Sequence, residues 1–308
     1  MPTALITHDD CLKHITPPGH PEQVARLECI INALKSVDLM RVEAKLATKE
    51  EISLLHPAVY IDGIEKAVPD SGWESLDADT HLSPGSFAAA LRAVGGVLQA
   101  VDLVMMRSAQ NAFVAVRPPG HHAERESAMG FCFFGNVALG ARHVLENHGL
   151  SRVAIVDFDV HHGNGTQDLL WDEPRALTVT SHQFPLWPGT GTPDERGAFD
   201  NVLNIPLTPQ GTGKDMREAY ERLVFPKLEE FAPEFLFISA GFDAHTEDPL
   251  AELNWLEEDF IWLTRQLNKI AEKHCEGRVV SVLEGGYDLE ALASSVKVHV
   301  ETLKEVTK

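Results

Sequence analysis

The chain has 308 residues and a formal net charge of -20, with 44% hydrophobic and 23% charged residues. This is the composition of a soluble globular protein with enough apolar residue for a sizeable core. The acidic balance argues against nucleic acid as a partner, because such binding relies on basic surface. An acidic surface keeps a protein in solution without any partner, and it would also steer cationic ligands inward. The four cysteines, Cys11, Cys29, Cys132 and Cys275, form no close pairs. Neither a thiolate metal motif nor a disulfide framework is therefore expected, which suits a reducing cytoplasm. Residues 1–10 lack the basic start and long apolar run of a secretory leader. No apolar run is read as reaching the ~18 residues of a bilayer span, so no membrane partner is expected.

In chain order, residues 1–21 read as irregular, with a short apolar start and then a Pro-Pro-Gly-His-Pro cluster that cannot continue a helix. Residues 22–39 carry Val24, Leu27, Ile30, Ile31 and Leu34 at helical spacing. Residues 40–80 mix short helical and loop signals. Ser83-Pro84-Gly85-Ser86 opens a long helix to about residue 106. Strands are read at 111–116, 152–158, 177–181, 202–205, 234–240 and 278–283. Helices are read at 135–147, 214–231, 255–274 and 289–304. Strands alternating with helices predict a single α/β domain over 1–308, with a mainly parallel central sheet flanked by helices. Most of the strands run into polar clusters, at 117–122, 157–164, 180–182, 241–243 and 284–287, and sites in parallel sheets form beyond the carboxyl ends of the strands.

The stretch 153–165, Val-Ala-Ile-Val-Asp-Phe-Asp-Val-His-His-Gly-Asn-Gly, is the one around which these clusters are arranged. An acidic side chain buried at a strand end is costly unless a cation meets it. Asp159 and His161 fall on one side of an extended chain by the period of two. With Asp243 they make a candidate ligand set of two carboxylates and one imidazole. Such a set leaves a fourth position open on zinc, the pattern of a catalytic site, although other divalent ions accept the same ligands. His121 and His122 are a candidate acid/base pair, with Asp157 and Asn164 available to fix their tautomers. An Asp partner raises the basicity of its histidine more than a neutral Asn, so the two should differ in pKa. Gly285-Gly286 could present the Tyr287 hydroxyl to a developing oxyanion. Phe131, with Phe184 or Trp187, could line an apolar slot. Cys132 reads as packing, and Asp79 and His20 as loop residues, Asp79 being a candidate for the rim of that slot.

Arg-Pro-Pro-Gly-His-His at 117–122, Gly-Phe-Cys at 130–132, Asp-Phe-Asp-Val-His-His-Gly-Asn-Gly at 157–165, Ser-Ala-Gly-Phe-Asp-Ala-His at 239–245 and Glu-Gly-Gly-Tyr at 284–287 together resemble the histone deacetylase superfamily. Glu-Gly-Gly-Tyr and Asn164 resemble its class II branch. The resemblance implies an arginase–deacetylase fold and one zinc ion on Asp159, His161 and Asp243. It also implies a potassium ion near Asp157, Asp159, His161, Thr180 and Ser181, which spacing alone does not reveal. The family's substrate tunnel maps onto Gly130, Phe131, Trp187, Leu250 and Gly286, with Trp187 standing where many members have Phe. Arg26 resembles an arginine of the family's internal channel. An arginase-like second metal would need carboxylates where this chain has Gly163 and Gly241. The implied reaction is hydrolysis of an N-acetylated alkylamine. Leu250, where the polyamine branch carries an acidic residue, favours acetyl-lysine in proteins or peptides over acetylpolyamines. The remaining alternative is a non-catalytic binding module on the same fold, and a homo-oligomer stays open.

Overall fold

The apolar runs of the sequence become the inner strands of a parallel sheet. The computed structural model describes residues 1–306. The strands are β1 (Thr3–Thr7), β2 (Met40–Glu43), β3 (Glu74–Ser75), β4 (His81–Leu82), β5 (Asn111–Val114), β6 (Val153–Asp157), β7 (Ala176–Gln183), β8 (Val202–Leu207), β9 (Phe235–Ala240) and β10 (Val279–Leu283). The helices are α1 (Val24–Ala33), α2 (Lys49–Ile52), α3 (Ala58–Ala67), α4 (Ser86–Met105), α5 (Asn136–Asn147), α6 (Asn164–Leu170), α7 (Gly213–Ala219), α8 (Phe225–Phe231), α9 (Glu257–His274) and α10 (Leu289–Leu303). Eight strands form one sheet in the order β2-β1-β5-β10-β9-β6-β7-β8, and every pairing in it is parallel. The two short strands β3 and β4 pair antiparallel outside it. The protein is a single α/β domain with helices on both faces of the sheet.

The two faces can be told apart from single contacts. Ser281 and Phe113, side by side in the β10–β5 register, both meet His299 of α10. Their neighbours in sequence point the other way by the period of two. Gly96 of α4 lies against Val114 and Ile6 on that opposite face. Central strands β5, β6, β9 and β10 are buried at every position, as strands covered on both faces must be.

Two expectations need correction, and one helix proves helical throughout with an added detail. The chain start is not irregular: 3–7 is β1, a fully integrated strand, and 40–43 is the edge strand β2. Five residues of Thr-Ala-Leu-Ile-Thr are too few to establish a period. In β2 the burial alternates between half-buried and exposed, so its polar residues conceal a strand. The expected helix at 214–231 is one continuous run with a π turn at Tyr220–Val224. Pro226 lacks an N–H and its ring crowds the carbonyl one turn back, which widens the turn before it. Finally, α4 is long and apolar enough to cross a bilayer, with a mean hydropathy of 1.5, although no such run was read. It is a core helix, packed on α5 and on β1, β5 and β10.

Candidate active site

The polar clusters that follow β5, β6, β9 and β10 meet at the carboxyl edge of the sheet, where β10 and β9 separate β5 from β6. Asp159, His161 and Asp243 are all buried, and their ligating atoms lie within 4.8 Å of one another. His161 Nδ1 is 3.0 Å from Asp243 Oδ2 and 3.3 Å from Asp159 Oδ1. The strand pleat is not what joins Asp159 to His161. β6 stops at Asp157, and a turn follows in which the His161 N–H donates to Asp159 Oδ1 at 2.9 Å, as an Asx turn does. Two further backbone donors hold the carboxylates: Val160 N–H to Asp243 Oδ1 at 2.9 Å, and Gly285 N–H to Asp159 Oδ2 at 2.8 Å.

Burial lifts the Asp243 carboxyl to about 7, with Asp159 adding repulsion. Burial also opposes a charged His161, yet Asp159 and Asp243 lift it to about 10. Two buried carboxylates around one imidazole therefore call for positive charge at their centre. Glycines wall the cluster. A Cβ at Gly241 would stand 2.0 Å from Asp159 Oδ2, and one at Gly285 would stand 2.2 Å from Asp243 Oδ2. A Cβ at Gly163 would stand 2.4 Å from Asp157 Oδ2. The positions at which a second metal would need carboxylates leave no room for any side chain. The donor set and its charge fit a single divalent ion.

The two histidines lie side by side, ring centroids 3.8 Å apart. His121 Nδ1 is 3.0 Å from Asp157 Oδ2, and His122 Nδ1 is 2.8 Å from Asn164 Oδ1. Asn164 Nδ2 donates to Glu124 Oε1 at 2.8 Å. A carboxylate only accepts, so the amide must turn its oxygen to His122. His122 thus carries its proton on Nδ1 and keeps Nε2 as the acceptor. Burial pushes His121 down, but Asp159, Asp157 and Glu284 overcome it and raise it well above the usual range. Burial, with His121 and His161 beside it, pushes His122 well below. Their surroundings push the two imidazoles apart in basicity, His121 upward and His122 downward.

A cavity of about 350 Å³ leads from the surface to His122 and His161. Gly130, Phe131, Trp187, Leu250 and Tyr287 line it, and Asp79 stands at its wall with His20 and His81. Trp187 meets the His122 ring edge-on at 4.7 Å, and Phe131 meets Tyr287 at 5.9 Å. Gly286 is not among the residues lining this cavity. It is buried beside Tyr287 at φ +120, a region glycine occupies freely. Arg26 is fully buried, its guanidinium carbon 4.9 Å from the centre of the Tyr287 ring. It donates to the carbonyls of Gly286 at 2.6 Å and Glu284 at 2.5 Å. Burial raises the Tyr287 phenol well above its ordinary pKa, Arg26 pulls it down, and nearby carboxylates add to the rise. The phenol keeps its proton and remains a donor. Asp157 and Thr180 face each other across the β6–β7 ladder. Thr180 Oγ1 is buried with no partner, while Ser181 Oγ meets the Tyr220 hydroxyl at 2.8 Å.

Three supporting carboxylates were not singled out from sequence. Glu284 Oε2 accepts the N–H groups of Gly120 and His121 at 2.7 and 3.2 Å. Asp248 accepts those of Tyr287 and Leu250 at 2.7 and 2.9 Å. Glu124 sets the Asn164 amide. Glu284, an acid directly after the largely apolar strand β10, was the legible one, since such a group needs buried donors.

A sequence model of the histone deacetylase domain matches residues 20–303. The chain belongs to the histone deacetylase family. It is 37% identical over 300 residues to a probable deacetylase of Archaeoglobus fulgidus, spanning 94% of this chain and 82% of that one. It is 37% identical to the human polyamine deacetylase HDAC10, spanning 98% of this chain and 48% of that one. The crystal structure of the HDA15 HD domain superposes with a TM-score of 0.91 at 30% identity, spanning 98% of this chain and 90% of that chain. Membership of this family makes the chain a hydrolytic deacetylase.

Proposed function

We propose that this deacetylase uses one zinc ion, held by Asp159, His161 and Asp243, to remove acetyl groups from lysine side chains of proteins or peptides. The observation that carries the reading is His122, its Nδ1 bound to the Asn164 amide oxygen and its Nε2 left as acceptor, beside a buried three-ligand cluster at the foot of an apolar cavity. Zinc bound there supplies a Lewis acid that polarises the acyl carbonyl and acidifies a water. His122 Nε2 accepts that water's proton and later delivers one to the leaving amine. His121, paired with Asp157 and the more basic of the two, supports His122 by stabilising developing negative charge. Tyr287 donates its O–H to the oxyanion. Phe131 and Trp187 hold the butyl stem of the substrate and exclude water from it.

Potassium beside Asp157, Asp159, His161, Thr180 and Ser181 is part of the proposal, supported by the unpartnered Thr180 hydroxyl in that place. Four free cysteines agree with a cytoplasmic setting. The second reading, hydrolysis of acetylpolyamines, draws on the net charge of -20, which would attract a polycation. Leu250 in the cavity wall opposes it, because an apolar side chain offers a second ammonium nothing. The test is kcat/KM on an acetyl-lysine peptide and on acetylspermidine. Acetyl-lysine should be preferred at least tenfold, and a stripped protein should regain turnover on zinc addition. Preference for acetylspermidine would overturn the substrate, and full turnover without any divalent ion would overturn the chemistry.

A further inference from the structure

A second group of ligating side chains lies on α4 and α5, none of them lining the cavity described above. Asp102 belongs to α4, His143 to α5, and His148 is the residue that caps α5. Asp102 Oδ1 is 2.8 Å from His143 Nε2 and 2.9 Å from His148 Nε2, and all three ligating atoms fall within 4.8 Å of one another. Positions five apart on a helix do not share a face. His148 nonetheless reaches His143 from the C-cap of α5, both rings turning to the same Asp102 oxygen, and the two rings stand 5.3 Å apart at 78°.

We propose that Asp102, His143 and His148 form a second zinc site, independent of the reacting centre and of the function assigned to it. Two imidazoles and a carboxylate suit zinc, and three protein ligands leave a place for water. Each imidazole already turns Nε2 to Asp102 Oδ1, so a ring with its proton on Nδ1 would present that nitrogen to an ion without rotating. Tetrahedral ligands about 2.0–2.1 Å from zinc stand roughly 3.3 Å apart. The present contacts of 2.8 and 2.9 Å therefore open by about half an ångström. The group lies at the C-terminal end of α5, where the helix carries a partial negative charge that favours a cation. The competing cation is Lys45, 3.7 Å from Asp102 Oδ2, and it has a second partner in Glu51 at 3.3 Å. The Asp102 and His148 side chains are 30% and 18% exposed, so the ion enters from solvent. Bound there, it pins the end of α5 to α4.

The test is equilibrium dialysis of the metal-stripped, untagged protein against buffered free zinc. Wild type takes up two equivalents with separable affinities. His148→Ala and Asp102→Asn each lose the weaker equivalent, or bind it at least tenfold more weakly, and keep the tighter one together with wild-type turnover. Asp243→Asn loses the tighter equivalent and keeps the weaker, which separates failure of this site from failure of the reacting centre. Wild type saturating at one equivalent, or His148→Ala still binding two, overturns the proposal.

Discussion

His121 and His122 are chemically identical and adjacent, yet their surroundings raise the basicity of one and lower that of the other. Asp157 faces the first and Asn164 the second. The identities of all four residues, and their difference in basicity, could be read from the sequence. The orientation of the Asn164 amide could not, because Glu124, which sets it, lies forty residues away in the chain. Tyr287 is the donor on the other side of the cavity. Replacing it with Phe removes one hydroxyl and leaves the ring contacts with Arg26 and Phe131 in place. Tyr287→Phe is expected to fold as wild type and to lose about 100- to 1,000-fold in kcat, the usual scale for a lost oxyanion donor. Steady-state kinetics beside a thermal melt would check this, and unchanged kcat would remove Tyr287 from the chemistry.

At the scale of elements, the join between α1, the segment before it and the loops after β5 and β10 rests on one buried acid. Glu22 meets Arg117 through Oε2 at 2.6 Å and Arg26 through Oε1 at 3.1 Å, with all three side chains fully buried. The guanidiniums spend their other donors on carbonyls: those of Cys11 and His14 for Arg117, those of Gly286 and Glu284 for Arg26. This network fixes the floor beneath Tyr287. Glu22→Gln leaves two buried cations without a counter-charge and is expected to lower stability by about 3–5 kcal/mol, measured by urea unfolding. A loss under 1 kcal/mol would show that the carbonyls suffice. The sequence concealed this join. Periodicity locates α1 but does not say what Arg26 or Glu22 touches, and partners 95 and 260 residues away have no local signal. The inner strands were legible because burial on both faces makes them largely apolar. β1 and β2 were not, being short and, in β2, half exposed.

At the scale of the whole molecule, buried neutral histidines set its tolerance of acid. His56 Nδ1 donates to the Arg125 carbonyl, and its Nε2 accepts the Gly135 N–H. His299 Nδ1 donates to Thr264, whose hydroxyl is committed to the Phe260 carbonyl, and its Nε2 accepts from Ser281. A second proton on His56 would set donor against donor at the Gly135 N–H, and one on His299 would place a charge in a fully buried site. Burial accordingly pushes His56 down to about 4 and His299 to about 3. A base whose folded pKa is depressed contributes stability that is complete above its unfolded pKa, about 6.5, and is lost as pH falls towards the folded value. Each of these two is expected to cost about 3 kcal/mol by pH 4. Urea unfolding at pH 7, 6 and 5 should show a steady decline, and a flat profile would mean the rings charge freely.

The sheet order has a consequence for synthesis. β10, nearly the last segment of the described chain to be made, lies between β5 and β9 and is the only strand joining β2-β1-β5 to β9-β6-β7-β8. The same segment brings Glu284, Gly285 and Tyr287. While it is still inside the ribosome, the nascent polypeptide has no strand to join the two halves of the sheet and lacks the Tyr287 phenol. Unfinished chains should therefore be catalytically silent, and the enzyme would become competent in a single late step.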